Sequence, residues 1–475
     1  MIRIGLKAAL LAACCCAAAP AAADTLREAL AQAYASNPQL AATRAQQRAT
    51  DESVVIQRAS GLPGASVSSS VTQFDSNPGR SASASLNLTA PIYSGGSVRN
   101  GIMAAENRIE AGRADLRGTE SEIFSRVVAA YMDVIRGEAL VGLTRNNVAV
   151  LTTNLQATSD RFEIGDLTRT DVAQSASRLA LARSDVQSAE ANLAIARENY
   201  VALVGAAPDA LEPPPPLPGL PASVAAAEDS ALEHNPDLIA ARERVEASGY
   251  DIRVAGAGRM PRLEAFATGG YQNFLGSLEG LPGTGSPSQS STSAQAGLRV
   301  TLPLFQGGRV SAQQRQAQAQ SLATLEQAIG TERAVISQVR AAWSSWQAAK
   351  AIITSTQAAV DAAELSLEGV RAENSIGNRQ ILDVLNAEQE LLAARVQLVT
   401  ARRNEYVAGF SLLAAMGRGE ARDLGLDSNG PLYDPVVNYN RVRDIIWDWQ
   451  RDPDPIAQST RTVDIPAQDG EIPAE

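Results

Sequence analysis

The chain is poor in the residues on which most site chemistry is built. Its three cysteines stand together at Cys14, Cys15 and Cys16, its one histidine is His234, and its lysines are Lys7 and Lys350. The cysteines fall in a segment that reads as an export signal. Arg3 and Lys7 give a positive start, Ala8 to Ala19 an apolar run, and Ala21-Ala22-Ala23 a small-residue cleavage site before Asp24. Leu11-Ala12-Ala13-Cys14 offers a rival, a lipoprotein cleavage box, but its apolar core would be only Ala8 to Ala13. The usual core of about 7–15 residues favours cleavage after Ala23. A chain trimmed there has no thiol, which excludes disulfides, thiolate metal sites and a cysteine nucleophile.

A lone histidine beside Asn235-Pro236, at the end of a helix, is expected to be a surface residue rather than a catalytic one. The sequence shows no metal cluster and no phosphate-cradling glycine loop, so neither an enzyme nor a cofactor is expected. Trp343 and Trp346 sit at helical spacing and read as packing residues. The formal charge is -11, and -13 once Arg3 and Lys7 are removed, a balance that disfavours nucleic acid as a partner. Long apolar runs are also missing. No stretch after the signal approaches the roughly 18–20 residues of a spanning helix, so any membrane crossing must use β-strands.

What the chain does contain is a copy of itself. Pro91, Gly95, Gly96, Gly165, Asp171, Val172 and Gly205 recur at Pro303, Gly307, Gly308, Gly377, Asp383, Val384 and Gly417, each 212 positions later. Asn37-Pro38 and Pro63 recur at Asn235-Pro236 and Pro261, 198 positions later, which places a 14-residue insertion between Pro261 and Pro303. The first repeat covers 24–212 and the second 222–417, with the stiff proline-rich linker 213–221 between them.

Each repeat changes texture in the same order. A helical stretch is followed by period-two alternation. Ala82, Ala84, Leu86, Leu88 and Ala90 alternate with Ser83, Ser85, Asn87 and Thr89, after a turn at Asp75-Ser76-Asn77-Pro78-Gly79. In the second copy Leu263, Ala265 and Ala267 open one strand. Ala294, Ala296, Leu298, Val300, Leu302 and Leu304 alternate with Gln295, Gly297, Arg299 and Thr301 in another. Hairpins are therefore predicted over 64–92 and 262–304, with the loop Gly276 to Ser293 holding the insertion. One face of Ser, Asn, Thr, Gln and Arg suits a wet barrel lumen better than a packed sandwich core.

Long helical hairpins follow, over 96–205 and 308–417. Ile102, Ile109, Leu116 and Ile123 are spaced by seven, and after a shift of four so are Val127, Val134, Val141, Val148, Leu155 and Phe162. Copy two has Val339, Trp346, Ile353, Val360 and Leu367, flanked by the row Leu322, Ile329, Ile336 and Trp343. Such a repeat predicts supercoiled helices; Gly96 to Arg161 is some 65 residues, roughly 100 Å at about 1.5 Å per residue, and a second helix returns over Thr170 to Leu203 in copy one and Gln380 to Ala415 in copy two. Residues 418–450, with Tyr433, Tyr439, Trp447 and Trp449, are expected to pack on the helices, and the acidic, proline-bearing tail 451–475 to be disordered. Four strands cannot close a barrel, and lipid tolerates no open edge, so the chain must borrow strands from copies of itself. Three chains give twelve strands, a normal number for such barrels.

Taken together, the Asn-Pro pairs, the strand ends Ala90-Pro91-Ile92-Tyr93-Ser94-Gly95-Gly96 and Leu302-Pro303-Leu304-Phe305-Gln306-Gly307-Gly308, and two tip motifs carry a resemblance. The tips read Arg161 to Val172 (RFEIGDLTRTDV) and Ile376 to Leu385 (IGNRQILDVL). Over about 24–420 the chain resembles the TolC-like family of outer-membrane efflux and secretion channels. The resemblance implies a mainly α, α+β chain in a homotrimer: an α-helical barrel continued by a twelve-strand transmembrane β-barrel in outer-membrane lipid. It further implies a periplasmic iris that docks an adaptor and an inner-membrane pump of ABC or RND type, for protein secretion or small-molecule efflux. Gly165, Asp166, Leu167, Thr168, Gly377 and Asn378 would then form the docking tips. Asp383 would be a pore carboxylate, and Arg379 a latch bonding near Thr170 and Asp171 of a neighbouring hairpin. Asn386 stands where a second pore carboxylate is expected, and Asn374 where some members carry a latch tyrosine; both departures weaken the expected cation selectivity and latch. Asp171 and Asp383 also read simply as helix-starting acids. The competing class is a periplasmic coiled-coil adaptor, against which two helical hairpins and two pairs of amphipathic strands speak.

Overall fold

The structure, a computed structural model, describes residues 25–75, 79–278, 285 and 287–472. The export signal with its cysteines lies outside the described residues, as do Ser76 to Pro78 of the first strand turn, part of the loop after Gly276, and the last three residues of the tail.

Each repeat opens with two helices broken at an Asn-Pro pair: α1 (Leu26–Ser36) and α2 (Pro38–Ala59), then α5 (Val224–His234) and α6 (Pro236–Gly256). The break is built by asparagine and proline together. Proline supplies the first residue of the second helix, where its missing N–H costs nothing. Asn37 Oδ1 accepts from the amides of Gln39 and Leu40, and Asn235 Oδ1 from those of Asp237 and Leu238. Each asparagine also donates from Nδ2 to a carbonyl ending a distant helix, Asn37 to Leu203 and Asn235 to Ala415, both at 3.0 Å. One side chain thus caps two helices, a contribution of about 1 kcal/mol for each satisfied end.

The strands β1 (Gly64–Gln73), β2 (Arg80–Tyr93), β3 (Arg262–Asn273) and β4 (Ser290–Thr301) form one antiparallel sheet in that order. The two repeats therefore meet at β2 and β3, while β1 and β4 are its outer edges. The alternation of the second copy runs to Leu304 in sequence, but β4 ends at Thr301, before Pro303, which has no N–H for the ladder. Pro91 is accommodated inside β2 by an irregularity in its pairing with β3 between Pro91 and Tyr93.

Two long helices follow each strand pair. These are α3 (Ser97–Glu163) with α4 (Arg169–Val204), and α7 (Arg309–Ser375) with α8 (Ile381–Ala415). The seven-residue rows do the packing. Ile109, Leu116, Ile123, Val127, Val134 and Val141 on α3 are buried, as are Val339, Trp346, Val360 and Leu367 on α7. The parallel row on α7 is different, since Leu322 and Ile329 stay 58% and 46% exposed in the single chain. The main core gathers at the middle of the molecule, where α1, α3 and α4 meet around Phe124, Tyr131 and Tyr200.

Beyond α8 the chain turns up along α2. A short helix, α9 (Pro435–Val442), buries Asn438 against Asp51, whose carboxylate accepts from the Asn438 amide at 2.7 Å. The tail is expected to be disordered; residues 451–472 hold no helix or strand, and 468–471 lie against α4. Arg197 donates to the carbonyls of Asp469 and Glu471, both at 2.9 Å, and Ile472 packs on the main core. Composition argued for a loose tail because its apolar content is low; the fastening uses backbone carbonyls, which composition does not register.

Candidate functional site: the sheet faces and the helical tips

Residues directly opposite each other in an antiparallel sheet point to the same side. The register therefore sorts all four strands at once. Opposite Ser83, Ser85, Asn87 and Thr89 of β2 stand Ser70, Ser68, Ser66 and Gly64 of β1 and Gln272, Gly270, Thr268 and Phe266 of β3. Through β3 these continue to Ser291, Ser293, Gln295 and Gly297 of β4. This face is hydroxyl, amide and glycine almost throughout, with Ser68 to Ser85 and Ser70 to Ser83 joined hydroxyl to hydroxyl at 2.8 and 2.9 Å. The opposite face carries Val67 and Val71, Leu86 and Leu88, Ala265 and Ala267, Leu298 and Val300. Both faces of an isolated sheet would suit a membrane wall: one toward lipid, one toward water.

Charge enters the polar face only near its foot. Glu264 and Arg299 are directly paired across β3 and β4, with Arg299 Nη1 2.8 Å from Glu264 Oε1. The Arg299 guanidinium lies over the Phe266 ring, 4.7 Å from its centre, and Gly297 leaves the space that the ring fills. The sequence alternation marks Arg299 as inward on this face, but its partner and the ring beneath it emerge only from the register.

At the far end each hairpin turns on one left-handed glycine, Gly165 and Gly377, both at φ 83°. The two turns are built alike. The Gly165 and Asp166 amides donate to Phe162 and Arg161, and those of Gly377 and Asn378 to Asn374 and Glu373. This is the double closure that ends helices at glycine. The turn side chains then diverge. Asp166 is gripped by Arg161, Nε to Oδ2 at 2.7 Å, whereas Asn378 has no such charge. Leu167 is half-buried, and Thr170 points to solvent.

Both aspartates shared by the repeats sit in the first turn of the returning helix. Thr168 caps α4, its hydroxyl accepting from the Asp171 amide while Asp171 receives the Thr168 amide at 2.8 Å. These bonds from Thr168 hold the Asp171 carboxyl below its ordinary range. Asp383 stands in the same relation to Gln380, the amide of Gln380 donating to it at 3.3 Å. Within the chain Arg379 bonds Glu373 at 2.8 Å, lies 4.0 Å from Asp383, and has the Asn374 amide on its own carbonyl. Asn386 faces the first repeat, where Arg178 Nη2 donates to its Oδ1 at 3.0 Å.

That contact opens a joint the sequence reading missed. Leu385 of α8 is buried against Leu151, Leu179 and Ala182 of α3 and α4. One turn on, Glu388 is 6% exposed and receives Asn154 from α3 and Arg371 from α7. A glutamate at a buried heptad position was the available signal. A half-buried acid lies higher up. Glu120 of α3 accepts the Ala421 amide, and burial, reinforced by nearby Glu420, pushes its carboxyl up to about 7 against the pull of that amide, Arg44 and Arg117. Among the described residues no group of three or more His, Cys, Asp or Glu is placed to hold a metal ion, and no helix is long and apolar enough to cross a membrane.

A duplicated chain with a two-faced sheet at one end and paired long helices leading away from it is a protomer of a membrane channel. The chain belongs to the outer membrane efflux protein family, whose family model matches residues 29–206 and 228–418. It is 32% identical over 451 residues to the outer membrane efflux protein BepC of Brucella suis, covering 94% of this chain and 96% of that one. It is 28% identical to the outer membrane protein TolC of Escherichia coli over 87% of this chain and 86% of the relative. The solved outer membrane protein VceC of Vibrio cholerae superposes with a TM-score of 0.70 at 24% identity, over 82% of this chain and 96% of VceC. The protein is thus of the outer-membrane efflux and secretion channel family, and the adaptor alternative is set aside.

Proposed function

We propose that three copies of this chain form one export duct through the outer membrane, open to the outside and continued by a periplasmic tunnel. The observation that carries this reading is the register of the sheet, which places every apolar alternation on one face while leaving β1 and β4 as open edges. An open edge is untenable in lipid, and β4 of one chain meeting β1 of the next would remove it. The exposed row Leu322 and Ile329 on α7 supports the same assembly, since it is a heptad seam left exposed among the described residues.

The tips would gather at the periplasmic end as the iris of this duct. In this reading Asp383 supplies one carboxylate per chain to a ring at the constriction, while also starting α8. Arg379 holds the closed state by exchanging Glu373 for Thr170 or Asp171 of a neighbouring hairpin. Asn386 takes no charge to the ring and serves with Arg178 to hold two hairpins together. Gly165, Asp166, Leu167, Thr168, Gly377 and Asn378 would present the surface met by a periplasmic adaptor, behind which stands an inner-membrane pump of ABC or RND type. The cargo is small molecules, secreted protein, or both.

Single-channel recording of the purified protein in planar bilayers tests the reading. Discrete openings are expected, larger in Arg379→Ser, with cation preference reduced in Asp383→Ala. A protein that never inserts would overturn the duct; openings with unchanged preference in Asp383→Ala would overturn the carboxylate ring alone.

A further inference from the structure

The segment after α9 forms a closed loop. At its start the Arg443 carbonyl and the Asp444 carboxylate accept from Arg58 Nη1 of α2, at 2.7 and 3.0 Å. At its end Asp452 is held by Arg441, the last turn of α9, through two bonds of 2.8 and 2.9 Å. Between these two ion pairs the chain makes a tight turn, with the Gln450 amide on the Trp447 carbonyl. The loop spends this fastening on presenting apolar side chains to the outside. Ile446, Trp447 and Trp449 are 72%, 68% and 83% exposed.

The height of the loop along the molecule can be read from its anchors. α9 climbs α2, with Asn438 beside Asp51 and Asp444 beside Arg58. Arg58 is in the last turn of α2, and Gly61, three residues on, lies against Val98 in the first turn of α3. The sheet starts at Gly64. The loop therefore stands at the foot of the sheet, level with Ile92, Tyr93, Leu304 and Phe305, which are also exposed. Tryptophan is the residue best suited to that depth, its ring apolar and its indole N–H wet, and it collects at membrane–water boundaries. Of the loop's four charges, Asp444 is paired with Arg58 and Asp452 with Arg441, while Asp448 and Arg451 are exposed and keep the turn's polar edge in water.

We propose that residues 444–452 are a lipid-binding finger, which sets Ile446, Trp447 and Trp449 into the headgroup region of the periplasmic leaflet beside the barrel. The occupant is the lipid surface, because the finger is continuous with the apolar foot of the sheet. This rests on the reading of the sheet as membrane-spanning. The finger fixes the height of the barrel in the bilayer and ties α2 and α9 to that height.

The chain carries its own probe. Its four tryptophans are Trp343, Trp346, Trp447 and Trp449. The first two lie 34 or more residues along α7 from Arg309, about 50 Å from the foot of the sheet at about 1.5 Å per residue. In Trp343→Phe/Trp346→Phe protein reconstituted into nanodiscs, the remaining emission comes from the finger. Lipids brominated near the headgroup should quench most of it, and iodide in the water little. Trp447→Ser/Trp449→Ser in the wild-type background should leave an emission that brominated lipid does not touch, with channel conductance unchanged. Emission open to iodide and indifferent to brominated lipid would overturn the finger, as would emission blind to both, which would place the loop against another copy of the chain. Failure of the protein to enter nanodiscs or conduct would instead strike the membrane-spanning sheet.

Discussion

The amide nitrogen of Asn154 on α3 reaches both carboxylate oxygens of Glu388 on α8, at 2.8 and 2.9 Å. This single group of bonds joins the first repeat to the second close to the tips, and Arg371 of α7 completes it at 3.0 Å. Replacing Glu388 by alanine leaves two donors facing a buried gap. The expected loss is about 1–3 kcal/mol of folding stability, the usual range for a buried polar group without its partner. If the joint also restrains the helical tips as the proposed iris requires, Glu388→Ala should raise single-channel conductance. A double-mutant cycle with Asn154→Ala checks the coupling, which vanishes if the two residues act independently.

The two faces of the sheet predict opposite tolerance to charge. Leu298 lies on the apolar face and Gln295 on the polar one. Leu298→Arg should cost about 2–4 kcal/mol if it meets the middle of the bilayer. Gln295→Arg should insert normally and change ion preference instead. Equal insertion and equal refolding stability of the two variants in lipid would contradict the facing.

Glycines of the same conformation should respond very differently to alanine. Gly377 at the tip has φ 83° and open space where a Cβ would stand, so Gly377→Ala meets only the backbone penalty of about 1–2 kcal/mol. Gly417 has φ 74°, and a Cβ there would come within 2.4 Å of the His234 carbonyl oxygen. Gly417→Ala must displace the Asn235-capped start of α6 as well, and should cost more than about 3 kcal/mol. Thermal melts of the two variants decide this.

Glu120 sets a pH dependence of defined sign. Its carboxyl is raised in the folded chain from 4.5 to about 7, so the native state holds a proton that the unfolded state has released. Stability from this group is therefore fully present below about pH 4.5 and is lost as pH rises through about 7. Glu120→Gln keeps an acceptor for the Ala421 amide without the charge. It should stabilise the protein at pH 8, by up to about 3 kcal/mol, and make little difference at pH 4. Chemical denaturation at the two values measures it.

Much of the fold was legible because two of its periods are chemically crude. Alternation of Leu, Ala and Val with Ser, Thr and Asn needs no tertiary context, and β2 and β4 follow from it. The seven-residue rows of α3 and α7 are legible for the same reason, whereas the Asn-Pro pairs stood out only as repeated positions and not as the caps they are. What escaped is what depends on partners far along the chain. Glu388 stands at a buried heptad position, but its partner Asn154 comes from 234 positions away. The tail is held through its backbone by Arg197, so its side chains never announced it. At the tips, Asp171 was open to being a latch partner or a helix starter, and Asp383 a pore acid or a helix starter. The geometry makes each of them a helix starter, and that role leaves the free edge of each carboxylate available for the other.

The polar face of the sheet has a further consequence in what it withholds. Above Glu264, Arg299 and the Phe266 ring that Arg299 covers, its wall is serine, threonine, asparagine, glutamine and glycine, groups that exchange hydrogen bonds with water at nearly equal strength. Such a lining stays wetted and offers a passing solute neither an apolar foothold nor a fixed opposite charge. Dwell time on it is short for almost any chemistry, which makes this stretch of the path indifferent to what travels.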